Sequence, residues 1–177
     1  MKPWTIKSIM TYRNKGGRFR SCDDINDIFN MDDAQKKELI PYCTIKLITV
    51  DINKADTTQL KELSGIGSLT AKSLIDYRDR LGGFLYKEQL LEPWGLSEDL
   101  LEKLDKQIII TGEVNPLNIN GESEPIFKHP YIEYQVAKVL IKYRNQHGDF
   151  KDISDIKKTR IISDSTYNRL APYLSLN

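Results

Sequence analysis

Ahead of each of three Tyr-Arg pairs, the apolar positions keep a helical spacing. Ala71, Leu74, Ile75 and Arg78 stand at i, i+3, i+4 and i+7; Ile6, Ile9, Met10 and Arg13 do the same, as do Ala137, Leu140, Ile141 and Arg144. Each register predicts an amphipathic helix that ends near its Tyr-Arg pair. Glycines two positions before the following Phe (Gly17, Gly82 and Gly148) are placed to cap those helices at their C-termini. A short helix near 87–92 and a longer one near 98–107 follow the second pair, and "DINKADTTQL" adds a helix before it with Asp56 as its cap.

The same landmarks recur along the chain. "YRNKGGRF", "YRDRLGGF" and "YRNQHGDF" share one spacing, and the Tyr-Arg pair returns after 65 and then 66 residues. Six positions beyond each Phe stand Ile25, Leu90 and Ile156; twelve beyond stand Met31, Leu96 and Ile162. Helix N-caps come next at Asp32, Ser97 and Ser163, and then Leu39, Leu104 and Leu170. A period this long predicts small helical domains rather than short solenoid turns. The expected fold is all-α: three tandem helical repeats of about 65 residues, over 1–47, 48–111 and 112–177. Short β-branched connectors at 44–50 and 108–119 are expected to be extended and to pair locally, with a turn at Gly112 and Asn115-Pro116. The first repeat lacks a leading helix, since Met1-Lys2 falls where its front should be, so it is expected to be truncated, with any signal or anchor upstream.

Charge changes the picture more than composition does. The 177 residues are 40% hydrophobic and 29% charged, with 26 Lys/Arg against 25 Asp/Glu, which suits a globular protein and announces no basic nucleic-acid binder. The balance is uneven: residues 1–50 carry a net +3, residues 51–110 a net −3 and residues 111–177 a net +1. "KPWTIKSIMTYRNKGGRFR" is the most basic stretch, and Arg13, Lys15, Arg18 and Arg20 are candidate auxiliary phosphate contacts or a solvated helix end. Cys22 and Cys43 form no CxxC and no Cys/His cluster, so neither a metal nor a cofactor is expected; whether the two pair stays open. His129 and His147 read as exposed helix-end residues.

The stretch "ELSGIGSLTAKSLIDYR" places Gly65-Ile66-Gly67 at the mouth of a helix. Such a turn sends the isoleucine inward and the backbone N–H groups outward, which makes an anion site behind which the helix dipole stands. Ser68 and Thr70 would add hydroxyls and Lys72 a charge. The same glycines also suit a tight helix-helix turn with no ligand. In the third copy "HPYIEY" puts Tyr131 and Glu133 where Gly65 and Gly67 stand, so that hairpin is expected not to hold phosphate, with exposed Tyr131 and Tyr134 serving protein contacts instead. Ile161 stands where Gly95 does, and Trp94, aligned with Phe29, is expected to pack in the core or its hairpin rather than to serve as a base-stacking platform. Arg78, repeated in every copy, is expected to pack and pair.

"DINKADTTQLKELSGIGSLTAKSLIDYRDRLGGFLYKEQLLEPWGL" resembles the helix-hairpin-helix domain of the ComEA type, found in bacterial competence proteins. The resemblance rests on Asn53 to Asp56, Leu60 to Gly67, Ala71 to Arg78 and Gly82 to Phe84, and weakens in the flanking copies. It implies sequence-independent DNA binding through hairpin amides, with Gly65, Ile66 and Gly67 in the first hairpin and Trp94, Gly95, Leu96 and Ser97 in the second; the net negative charge of residues 51–110 makes that binding weak and salt-sensitive. Ser97 departs from the glycine common there. It also implies a role in DNA uptake at the cell envelope. No catalytic residue is expected: there is no Gly-Pro-Asp element and there are no iron-sulfur cysteines, and Asp76 and Asp79 read as surface residues. A scaffold of degenerate repeats that binds another protein is the alternative.

Overall fold

In the computed structural model of the protein, residues 3–17, 19, 21–28, 31–111 and 114–177 are described. The Tyr-Arg helices are α1 (Pro3–Asn14), α4 (Ser68–Leu81) and α7 (Tyr134–His147). Each leads into a 3-10 turn (22–27, 87–91 and 153–159) and then a helix of two turns: α2 (Asp33–Leu39), α5 (Glu98–Leu104) and α8 (Asp164–Leu170). Short helices α3 (Thr57–Leu60) and α6 (Ser123–Lys128) precede α4 and α7. The expected caps form. Asp32, Asp56, Ser97 and Ser163 each accept a hydrogen bond from the backbone N–H three residues on. No helix among the described residues is long and apolar enough to cross a membrane.

The connectors do not pair locally. β1 (Val50–Asp51) lies parallel to β2 (Ile108–Ile109), and β3 (Leu117–Asn118) lies parallel to β4 (Leu174–Ser175). The start of a unit thus pairs with its own end. The cause is burial: Val50, Ile52 and Ile108 all enter the core formed by Leu60, Leu63, Leu74, Phe84 and Leu104, so both ends are drawn to one edge. A second core around Ile119, Ile126, Leu140, Phe150 and Leu170 repeats the arrangement.

Polar staples recur with equal regularity. The Asn53 side chain donates to the Phe84 carbonyl and accepts from the Phe84 N–H, both at 2.8 Å. Asn120 makes the same pair with Phe150 at 3.0 and 2.9 Å. The Arg78 guanidinium donates to the carbonyls of Ile52 (3.1 Å) and Ala55 (2.8 Å), and Arg144 donates to those of Ile119 (2.9 Å) and Gly121 (2.6 Å). The arginines of the second and third Tyr-Arg pairs therefore tie their helices to the segments that open their units.

The N-terminal segment has a smaller core of Ile25, Ile28 and Met31, closed by a Cys22–Cys43 disulfide with Cα atoms 5.8 Å apart. Arg13 lies over the Phe19 ring, 5.6 Å from its centroid. Here the left-handed residue after the helix is Gly16 rather than Gly17, and the Tyr12 ring fills the space a Gly17 side chain would take. This segment reaches the middle unit through the Ser64 hydroxyl, which donates to Asp24 at 3.1 Å.

Candidate nucleic-acid interface

The first hairpin is built by burial. Leu63 and Ile66 are 0% and 3% exposed, so the loop between α3 and α4 is pinned from below. Gly65 turns it with φ +83, where a side chain would be strained and would meet Leu100 at 2.8 Å. Gly67 is different. Its φ of −89 suits any residue, and no heavy atom beyond its two chain neighbours lies within 4 Å of where its Cβ would stand. Nothing in the fold requires glycine there. Gly67 is also the N-cap of α4 and supplies no side-chain bond, whereas α2, α3, α5 and α8 are all side-chain capped. The first-turn amides of a fourteen-residue helix lack acceptors within that helix and carry its positive dipole end.

Not every expected contact survives. Ile66 is spent inside the fold, with its side chain in the core and its N–H donating to Leu63 at 3.2 Å. Thr70 is buried, and its hydroxyl donates to the Gly95 carbonyl at 3.4 Å, so it is turned away from any phosphate. Ser68 and Lys72 are exposed, on the surface beside Gly67.

The second hairpin sits against the first. Gly95, at φ +107, would place a Cβ 2.8 Å from Thr70 Oγ1, and Leu100 reaches back to Gly65. Leu96 is half-buried, and Ser97 uses its hydroxyl to cap α5 at 3.3 Å. Glu98 and Asp99 follow, exposed. Trp94 does not pack within the hairpin as expected. It is 70% exposed, as is Leu69 at 71% on the first turn of α4. Leu69 could have been found from the sequence, because it falls off the Ala71–Leu74 stripe; Trp94 gives no such signal.

In the third copy one residue of the hairpin, Tyr131, packs against the middle unit. Glu133 stands as the N-cap of α7, and Tyr131 is half-buried instead of exposed. The Tyr131 hydroxyl accepts from Gln89 Nε2 at 2.7 Å and donates to Glu92 at 3.1 Å, while Arg169 lies 4.2 Å over its ring. Glu92 also accepts from Arg169 at 2.7 Å, and from the Tyr77 hydroxyl. Gln89 donates in turn to Tyr173 at 2.7 Å, and burial pushes the Tyr173 hydroxyl up to about 12. A carboxylate of the middle unit thus lies against the third unit's hairpin. Tyr134 is exposed, with Lys138 4.6 Å over its ring. At the second hairpin of this copy the left-handed residue is Arg160 (φ +58), one before Ile161, which is how an isoleucine is accommodated.

His129 is not an exposed helix end. It is 3% exposed, between Tyr131 and Tyr173, and burial pushes its pKa down to about 4 against a small opposing pull from the Leu81 carbonyl. Nδ1 accepts from the Tyr131 N–H at 3.2 Å. His147 is exposed. Arg13 shares a cleft of about 390 Å³ with Glu62 and Gln107, and Lys15 is exposed nearby; Arg18 and Arg20 lie outside the described residues, as do Gly112 and Asn30, the latter in the Gly95 position of the first copy. Among the described residues no group of three or more His, Cys, Asp or Glu is arranged to hold a metal.

Endonuclease/exonuclease/phosphatase family domain-containing protein 1 of Danio rerio is 26% identical over 160 residues, 76% of this chain and 29% of that protein. An uncharacterized protein of Haemophilus influenzae is 39% identical over 61 residues, 34% of this chain and 54% of that protein. Protein tex of Bordetella pertussis is 24% identical over 123 residues, 70% of this chain and 15% of that protein. The chain therefore spans less than a third of the length of the Danio and Bordetella relatives. No solved structure matches. The profile of the helix-hairpin-helix motif, a motif that generally binds nucleic acid, matches residues 46–109 and again 115–175. The two matches cover more than half of the chain and fall on the two units that share the Asn and Arg staples, so the chain belongs to the helix-hairpin-helix motif family.

Proposed function

We propose that this protein binds DNA without sequence preference, through the backbone amides at the start of α4, in the manner of ComEA-type domains. The observation that carries the reading is Gly67: an N-cap without a side-chain bond, above which the protein leaves open space. A phosphate there meets the amides and dipole of α4, with Ser68 and Lys72 beside it. The middle unit is the gripping one; in the third copy's hairpin Tyr131 is held by Glu92 and Glu133 stands at the Gly67 position. The N-terminal segment is a further copy that lends Arg13 and Lys15. Binding is weak, because residues 51–110 are net negative and phosphate neutralisation supplies most nonspecific affinity. The role is binding with no chemical step and no cofactor. The Cys22–Cys43 disulfide supports an oxidising compartment, which suits DNA handling at the cell envelope.

The test is fluorescence anisotropy of a labelled duplex at low and physiological salt, with Gly67→Glu alongside. The space above Gly67 lets the variant fold, as a thermal melt would show. Affinity is expected to fall with salt at a logarithmic slope of about −1 to −2, the value for one or two phosphates. Gly67→Glu is expected to lose at least about tenfold, since it sets a carboxylate in the phosphate's place. Absence of binding at low salt by the folded protein, to this duplex and to a single strand of equal length alike, would overturn the reading. It would favour a protein-interaction scaffold, to which the contact of Tyr131 with Glu92 also points.

A further inference from the structure

We infer that Trp94 is a base-stacking platform and that the ligand of the middle unit is single-stranded nucleic acid, gripped by an unpaired base as well as by its phosphate. This rests on the nucleic-acid reading above and deepens it. Trp94 is the largest kind of apolar side chain, and it is held out in water on a backbone fixed from both sides. Pro93 is buried before it, Leu96 is half-buried after it, and Gly95 packs on Thr70 between them. Among the described residues no ring contact and no cation–π contact involves the indole. Most of its surface is left to solvent.

Its position links it to the phosphate site. Thr70 touches Gly95, so Leu69 and Trp94 flank the contact between the two hairpins, and both are about 70% exposed. One surface thus offers amides to a phosphate and an aromatic face beside them. Charge selects between the two forms of nucleic acid. The unit is net negative over 51–110, and Glu98 and Asp99 are exposed three and four residues beyond Gly95. A duplex presents one negative charge per about 1.7 Å of axis, and an acidic surface repels it. Stacking on an aromatic ring does not depend on charge, and any base has a face to offer once it is unpaired. In a duplex those faces are hidden in the stack.

The experiment titrates the full chain against a dye-labelled oligothymidine of about 12 nucleotides and against a mixed-sequence duplex of equal length, by anisotropy. Wild type, Trp94→Ala, Trp94→Phe and Gly67→Glu are compared, each checked by a thermal melt. The single strand is expected to bind more tightly than the duplex. Trp94→Ala is expected to weaken the single strand about tenfold while leaving the duplex unchanged, and Trp94→Phe to restore most of the loss. Wild-type affinity of Trp94→Ala for the single strand, or tighter binding of the duplex, overturns the inference. If Gly67→Glu alone is defective, stacking falls and the phosphate reading stands. If wild type binds neither probe, both fall together.

Discussion

Arg78 decides whether the recurring Tyr-Arg pair is a strut or a phosphate contact. Its Nη1 donates to two carbonyls in the segment that opens the middle unit, and its side chain is 17% exposed. Arg78→Met keeps the length of the apolar stem and removes both bonds. A hydrogen bond from a charged donor is worth about 1.5–3 kcal/mol. Two such bonds sharing one nitrogen, to carbonyls that water can reach in part, place the loss at about 2–4 kcal/mol. For a chain of this length that lowers Tm by roughly 4–15 °C. Arg144→Met has the same geometry in the third unit, and the two losses should add to within about 0.5 kcal/mol, because the sites share no partner. Arg78→Lys keeps the charge without the planar fork and should recover only part of the loss. The assay is a circular-dichroism melt of each variant, paired with DNA anisotropy well below the melting range. Affinity and its salt slope should not move. An unchanged Tm with lost affinity would refute the strut and make Arg78 a ligand of phosphate.

Two further outcomes follow from buried groups. Replacing Cys22 and Cys43 by serine opens a link between residues 21 apart, which removes about 3 kcal/mol from the N-terminal segment. Hydrogen exchange should quicken over 25–31 and stay unchanged in α4; unchanged exchange over 25–31 would contradict the role given to the disulfide. His129 is held neutral by burial, with a pKa of about 4 in the fold against 6.5 unfolded, so only the unfolded chain takes up a proton in that window. Its contribution is intact above about pH 6.5 and is lost as the pH falls to about 4, by roughly 3 kcal/mol. Melts of His129→Phe between about pH 4 and pH 7 should show a shallower slope than wild type, and equal slopes would argue against a buried neutral imidazole.

The parts legible in the sequence are those whose causes are local. Helix period, N-caps such as Asp56 and Ser97, and the turn at Gly65 depend on residues within one turn of each other. The role of Arg78 was legible because Arg144 repeats it at the same place in its unit. The residues that misled are those whose surroundings come from far along the chain. Tyr131 looks like a loop tyrosine until Gln89 and Glu92 of the other unit arrive beneath it. His129 is buried by Tyr173, and the strands pair across a whole unit. Thr70 reads as a helix-start hydroxyl, yet Gly95, 25 residues on, claims it. Trp94 shows the converse: aromatic residues are expected inside, and no local pattern says that this one stands out.

The pairing of each unit's first strand with its last has a mechanical consequence. β1 and β2 run in the same direction, and the chain enters at the front of one and leaves from the back of the other. Tension along the chain therefore drags the two strands past each other instead of peeling them apart. The bonds from Val50 N–H to the Gln107 carbonyl (2.7 Å) and from Ile52 N–H to the Ile109 carbonyl (3.0 Å) are loaded together, in shear. The helices behind this clasp bear no load until it breaks. A protein that holds one end of a polymer while the other is hauled would keep its grip through such a pull.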